Sequence, residues 1–280
     1  MPTTPPVVLT IAGFDPSSGA GVTADIKTIA AHGCYGVAGI TALTVQSTAG
    51  VRRIEPVRPR LLTGTLQELA SDLEIAAVHI GMLASGQVVD AVAAFLATRK
   101  LPNVVLDPIL RSSSGAALLS GSGIRALVRK LLPLATVTTP NLDEAAFLTE
   151  LPVGNLEQMG EAANRLHSMG AAAVVVTGGH LNKAIDVLSI AGANGTQQRV
   201  FEGEHQQSNS THGTGCAFAT AIASQLARGT DLAEAVRLAK AYVADAIRNA
   251  YSLGRGIGPL NHLYGMPPFG PTIRPIGDKS

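Results

Sequence analysis

The run Asn209-Ser210-Thr211-His212-Gly213-Thr214-Gly215-Cys216 carries the densest chemistry in this sequence, standing directly before a helical pattern from Ala217 to Arg228. Glycines ahead of a helix let successive backbone N–H groups converge, and the helix N-terminus adds partial positive charge. Together they suit a phosphoryl group whose charge builds during transfer. Gly215 is expected to need a backbone free of a side chain where phosphate approaches. Cys216 falls at the first helical positions, where a thiol pKa is expected to drop, so that the thiolate takes a proton from a substrate hydroxyl. A Gly-rich turn capping a buried helix, with an inert cysteine, fits the same residues. Cys34, among Ala31 to Gly36, reads as packing.

A second group is Thr139-Pro140-Asn141-Leu142-Asp143-Glu144. Asn141 reads as a helix N-cap, with Glu144 completing a capping box. An Asn and a Glu at a strand end also suit Mg²⁺ held through water or through its other ligands. Asp107, at another strand end before Pro108, fits an Asx turn or a second magnesium-organising carboxylate. Gly19-Ala20-Gly21-Val22-Thr23-Ala24 matches the dinucleotide pattern G-x-G-x-x-A. That fingerprint also needs an acid about 20 residues further on, and this stretch offers Gln46 instead. The glycines are better read as letting a loop fold closely over a small ligand. The sequence holds no G-x-x-x-x-G-K-[ST] run, which excludes a P-loop kinase, and no His pairing of the H-E-x-x-H kind that would indicate zinc.

The elements that must position these groups alternate between short apolar runs and helical patterns. Strands are expected at Val7 to Ala12, Val37 to Val45, Ala76 to Ile80, Val104 to Leu106, Thr136 to Thr138 and Ala173 to Val176. Helices are expected from Gly21 to Gly33, Leu61 to Leu73, Val88 to Thr98, Ile124 to Leu132, Leu142 to Thr149, from a capping-box-like Asn155 and Gln158 to Gly170, from about Gly215, and from Asp231. Ala184 to Phe201, broken at Asn194-Gly195, reads as a hairpin. Strand–helix alternation implies an α/β fold, one parallel sheet of about seven to nine strands with helices on both faces. Without internal repeats or linkers, residues 1–280 read as one domain with an irregular tail from about Gly254. Ligands in such folds sit beyond the carboxyl ends of the strands. That singles out Asp15, Gln46, Met82, Asp107, Asn141 and Thr177.

Composition removes whole classes. Apolar residues make up 46% and charged residues 15%, which excludes a disordered chain. Lys plus Arg number 21 against 20 Asp plus Glu, so no basic stripe calls for nucleic acid or an anionic membrane. Aromatics at 4% with no Trp argue against stacking platforms for sugars or single strands. Two separated cysteines build neither a disulfide framework nor a zinc site. No signal peptide and no membrane helix are read, and the expected setting is a reducing cytoplasm.

The ordered pieces Ile11-Ala12-Gly13-Phe14-Asp15-Pro16-Ser17-Ser18-Gly19-Ala20-Gly21, Ala24 to Thr28, Thr41 to Gln46, Ile80 to Leu83, Leu106 to Pro108, Thr139 to Glu144, Gly178 to His180, His212 to Cys216 and Gly256 to His262 resemble the ribokinase superfamily. They are most similar to its hydroxymethylpyrimidine/phosphomethylpyrimidine kinases of thiamin synthesis. The resemblance covers about Val8 to His262 and implies a ribokinase-like α/β/α sandwich with a mostly parallel central sheet, using ATP and Mg²⁺. It implies that Gly213, Thr214, Gly215 and Cys216 form an anion hole, with Cys216 where most superfamily members have an Asp base. Gly13, Asp25, Gln46 and Met82 are implied at the pyrimidine, Asn141, Thr177 and Lys240 at the nucleotide, and Glu144 with Asp107 at the metal. A homodimer acting on a small molecule is also implied. Thr177 replaces the family's usual Lys and brings no charge, while Phe14 and Thr23 replace a usual Ser and Gln. The carboxamide of Gln46 matches the amino-plus-ring-nitrogen edge of a 4-aminopyrimidine, as Gln and Asn match adenine. Pyridoxal kinases share the Gly-Thr-Gly-Cys ending and are the nearest rival reading. A catalytically silent vitamer-binding protein is the rival outside the enzymes.

Overall fold

A computed structural model describes residues 4–112, 115–179, 184–192, 195–203, 208 and 210–266. Nine strands join one sheet in the order β3-β2-β1-β4-β5-β6-β7-β8-β9. These are β1 (Val7–Phe14), β2 (Tyr35–Ser47), β3 (Gly50–Pro56), β4 (Ile75–Ile80), β5 (Val104–Leu106), β6 (Val137–Thr138), β7 (Ala173–Gly178), β8 (Ala184–Gly192) and β9 (Gly195–Gly203). From β2 through β7 the neighbours run parallel. At the edges β3 pairs with β2, β8 with β7 and β9 with β8 in antiparallel fashion. The sheet is thus mostly parallel, as expected, with antiparallel edges where direct hairpins reverse the chain and no crossover helix keeps its direction.

The helices are α1 (Gly21–Ala31), α2 (Pro59–Asp72), α3 (Gly86–Arg99), α4 (Gly121–Ala126), α5 (Leu142–Thr149), α6 (Leu156–Ser168), α7 (Thr214–Ala227) and α8 (Leu232–Arg248). Successive strand residues feed opposite cores, as the two-residue repeat of a strand demands. Leu9, Ile11, Val78, Ile80, Leu106, Val174 and Val176 pack with α2 to α6. Val8, Ala77, Val105, Ala173 and Val175 pack with α1, α7 and α8. Helix α7 buries Ala217, Ala219, Ala221, Ile222 and Ala223 completely. Its small side chains let it lie against both the sheet and its helical neighbours.

Two elements differ from the sequence expectation. The helix expected from Ile124 starts earlier, capped by Ser120, and passes into a π-helical stretch, Leu127–Leu131, and a 3-10 turn, Leu132–Leu134. Pro133, lacking an N–H, ends the α-helical ladder there. Strand β3 has no counterpart in the reading, because Arg52, Arg53 and Glu55 of this edge strand face water and leave no apolar alternation. Asn155 does cap α6, but Gln158 reaches Gly154 N rather than the cap residue, so the capping box there is half formed. The strand after β1 lies on one side of it and β4 on the other, which opens a crevice where the strand order switches. No helix of the described residues is long and apolar enough to cross a membrane.

Candidate functional site

A cavity of about 1120 Å³ runs along the carboxyl ends of the parallel strands. All six strand-end residues singled out above line it: Asp15, Gln46, Met82, Asp107, Asn141 and Thr177. Gly13, Glu144, Gly213, Thr214, Gly215, Cys216 and Lys240 line it as well.

The centre is the start of α7. Its N-cap, Gly213, has φ +84°, and a Cβ there would lie 2.1 Å from Gly19 O. Only glycine fits, both for its backbone angle and for the close crossing of two loops. Gly215 was the glycine expected to carry that requirement. Its backbone is ordinary, and a Cβ would meet only Asp107 Oδ2, at 3.9 Å. A side chain at 215 would thus intrude on the space beside Asp107 rather than strain the chain.

Asp107, just after β5, and Glu144, in the first turn of α5, are buried, with 4% and 8% exposure. Burial pushes the Glu144 carboxyl up to about 7, against backbone donation from Asn141 and Leu110, with the charge of Asp143 adding to the rise. Burial, then the negative charges of Glu144 and Asp25, hold Asp107 well above the usual carboxyl range, opposed by a hydrogen bond from the Cys216 thiol. Asn141 and Glu144 form the expected capping box: Asn141 Oδ1 accepts from Glu144 N at 2.9 Å, and Glu144 Oε2 accepts from Asn141 N at 3.0 Å. The pKa of Cys216 moves opposite to expectation. Burial, then Asp107 and Asp25, raise it well above a free thiol, and these outweigh the dipole of one helix end. At neutral pH the thiol is therefore protonated.

At one end of the cleft, a Cβ on Gly13 would reach Met82 Cε within 2.8 Å, so backbone and thioether form one apolar wall. Gln46 stands beside them with Thr44 Oγ1 at 3.1 Å and His212 Nε2 at 3.2 Å. Asp15 holds its own loop through Ser17 and Ala20. Burial works to raise its pKa, but donors from His212 and Ser17 win and keep the carboxyl below its ordinary value. At the other end, Thr177 N donates to Pro140 O at 2.9 Å, joining β7 to the Asn141 turn. Lys240 Nζ pairs with Asp186 Oδ2 at 2.6 Å, in partly buried surroundings.

Asp25 is not at the cleft. It is fully buried on α1, where Thr10 Oγ1 donates to it at 2.7 Å and Thr220 Oγ1 at 2.9 Å, with His79 Nδ1 3.4 Å away. The helix turns this carboxylate into the α1–α7 core, so the pyrimidine contact implied for it is corrected to a structural tie. Conversely, His212, Thr44 and Asp186 were not among the expected site residues. His212 carried a signal, since it opens the Gly-rich run before α7. Asp186 carried none, because its pairing with Lys240 joins residues far apart in sequence. Asn194, Asn209 and His180, used in the hairpin and motif readings, lie outside the described residues.

Among the described residues no three His, Cys, Asp or Glu gather into a metal site. Two buried carboxylates without counter-charge nonetheless fit a hard divalent cation that takes its remaining oxygens from a phosphate, the usual manner of Mg²⁺.

The family model described as phosphomethylpyrimidine kinase matches residues 15–261. The chain is 43% identical over 258 residues to the thiamine biosynthesis bifunctional protein ThiED of Geobacter sulfurreducens, covering 91% of this chain and 52% of that protein. It therefore spans about half the length of that relative. It is 40% identical to the hydroxymethylpyrimidine/phosphomethylpyrimidine kinase of Haemophilus influenzae, covering 91% of this chain and 96% of that one. Among solved structures, pyridoxal kinase of Bacillus subtilis in complex with ADP is similar with a TM-score of 0.84 and 32% identity, covering 92% of this chain and 98% of that chain.

Proposed function

This chain belongs to the phosphomethylpyrimidine kinase family and is a phosphotransferase, and from that premise we propose that it transfers the γ-phosphoryl group of ATP to the hydroxymethyl group of 4-amino-5-hydroxymethyl-2-methylpyrimidine, and then to the resulting monophosphate, in thiamin biosynthesis. The observation that carries this reading is the single cleft with Gln46 and Met82 at one end, Thr177 and Lys240 at the other, and the start of α7 between them. A nucleotide at the second end and an alcohol at the first meet at the Gly213–Cys216 amides.

Those amides receive the charge that builds on the transferring group. Asp107 and Glu144 would hold Mg²⁺, which when bound supplies positive charge against the triphosphate oxygens and the two carboxylates. Cys216 stands where the alcohol proton is released; as a protonated thiol it takes that proton only after passing its own to Asp107, the carboxyl it hydrogen-bonds. Its raised pKa means that positioning and electrostatics carry more of the rate than basicity. Lys240 brings a cation to the nucleotide end where Thr177 lacks one, although Asp186 shares that charge. We read residues 1–280 as one catalytic domain, working as a cytoplasmic homodimer. Exposed Ile40, Leu43 and Val45 on β2 support a partner there, and two free cysteines support a reducing compartment.

The second reading, a pyridoxal kinase, is favoured by the likeness to the Bacillus subtilis structure. Phosphotransfer from ATP to each vitamer separates the two, and Gln46→Glu sharpens the answer. Replacing the amide donor by a second acceptor is expected to cost about 1–3 kcal/mol in kcat/KM for the pyrimidine. The loss for pyridoxal should be about tenfold smaller. Turnover of pyridoxal without turnover of the pyrimidine would overturn the proposal.

A further inference from the structure

Three side chains from separate segments meet at the substrate end of the cleft: Asp15 after β1, Gln46 in β2 and His212 before α7. His212 Nε2 lies 3.0 Å from Asp15 Oδ2 and, in one of the two settings of the Gln46 carboxamide, 3.2 Å from Gln46 Nε2. An imidazole nitrogen either carries a hydrogen or presents a lone pair, never both. Asp15 decides which. Its Oδ1 accepts from Ser17 N at 2.8 Å and Ser17 Oγ at 2.7 Å, and its Oδ2 accepts from Ala20 N at 3.0 Å. A carboxylate surrounded by donors offers lone pairs only, so the hydrogen at this contact must be on His212 Nε2. The near end of Gln46 lies 3.2 Å from that same nitrogen, where an amide oxygen shares the hydrogen with Asp15 and an amide nitrogen would set donor against donor.

Thr44 gives the same answer independently. Its hydroxyl has one hydrogen but lies 3.0 Å from Phe14 O and 3.1 Å from the other end of Gln46. With the amide nitrogen at that end, Gln46 donates to Thr44 Oγ1 and Thr44 donates to Phe14 O. The two ends of a carboxamide are nearly alike in shape, so the hydrogens decide its setting.

We infer that Asp15 and His212 form a positioning pair that sets the Gln46 carboxamide, oxygen toward His212 and nitrogen toward Thr44, and so determines which ring edge the cleft accepts. Naming that edge as an aminopyrimidine's rests on the function proposed above; the setting itself does not. His212 is well held for the task. Its backbone N–H donates to Gly258 O at 3.1 Å, and its ring lies where a Cβ on Gly19 would come within 2.4 Å. A protonated His212 carries the same Nε2 hydrogen, so its charge leaves the setting unchanged.

Long-range ¹H–¹⁵N spectra of the full chain with labelled histidine read the tautomer, with the His212 signals identified by their loss in His212→Gln. The Nε2–H form, or the imidazolium, is expected; the Nδ1–H form overturns the inference whatever the substrate proves to be. In kinetics, His212→Phe is expected to raise KM for the pyrimidine about tenfold while kcat changes less than about threefold. His212→Gln, which restores an N–H donor, should recover most of the loss. An unchanged KM in His212→Phe overturns the pair as a specificity device. If the wild type leaves the pyrimidine unphosphorylated, the proposed function fails, and the tautomer still decides the setting.

Discussion

Asp25 and Asp107 are both carboxyls with almost no exposure, 0% and 4%, yet their surroundings are opposite. Around Asp25, Thr10 and Thr220 donate hydrogen bonds and His79 lies at ion-pair distance. These partners come from β1, α7 and β4, so the carboxylate ties α1 to the helix whose first turn lines the cleft. Around Asp107, the strongest neighbours are another carboxyl, Glu144, and a thiol. A buried carboxylate supplied with side-chain donors is part of the scaffold, whereas buried carboxyls that repel each other and hold raised pKa values mark a candidate functional site. The same residue type therefore serves two purposes a short distance apart, and partners rather than burial distinguish them.

The harshest trial of this contrast is Asp25→Ala, which removes the acceptor from three buried partners at once. A stability loss of about 3–5 kcal/mol is expected in denaturant titration, as for other broken buried pairs. A loss below about 1 kcal/mol would mean that Asp25 is not the tie described here.

Asp107→Asn should do the reverse. Turnover is expected to fall about 10²- to 10³-fold, the scale of losing one charge-stabilising group, while the melting temperature of the unliganded protein holds or rises. A variant that melts earlier and still turns over normally would erase the distinction between the two aspartates.

The gentlest trial uses pH. The Glu144 pKa is raised from 4.5 to about 7, so its protonation favours the folded state. That contribution is complete below the unfolded pKa and is lost as pH rises through the folded one. Glu144→Gln does not titrate and keeps an oxygen for the Asn141 cap. Between pH 4.5 and 7 the variant should gain up to about 3 kcal/mol on the wild type. A constant difference across that range would show that Glu144 is not burdened by burial.

Much of this was legible in the chain alone, because it depends on neighbours within a few residues. Asn141 caps α5 and Glu144 closes the box, both set by a three-residue spacing. Continuous apolar runs marked the buried parallel strands, and their ends marked the cleft, since a parallel sheet places its ligands there. Strand β3 escaped because Val51 and Ile54 are its only apolar residues besides a Pro, interrupted by the exposed Arg52 and Arg53, which leaves no alternation to read. Asp25 was misplaced for a different reason: spacing locates a residue on a helix but does not say which face the tertiary packing turns toward the core. The thiol of Cys216 marks the same boundary. Its place at a helix start follows from sequence, and that local dipole alone lowers a pKa. Its actual direction is set first by burial and then by Asp107 and Asp25, two carboxyls more than 100 residues away in the chain, which only folding brings within reach of one sulfur atom.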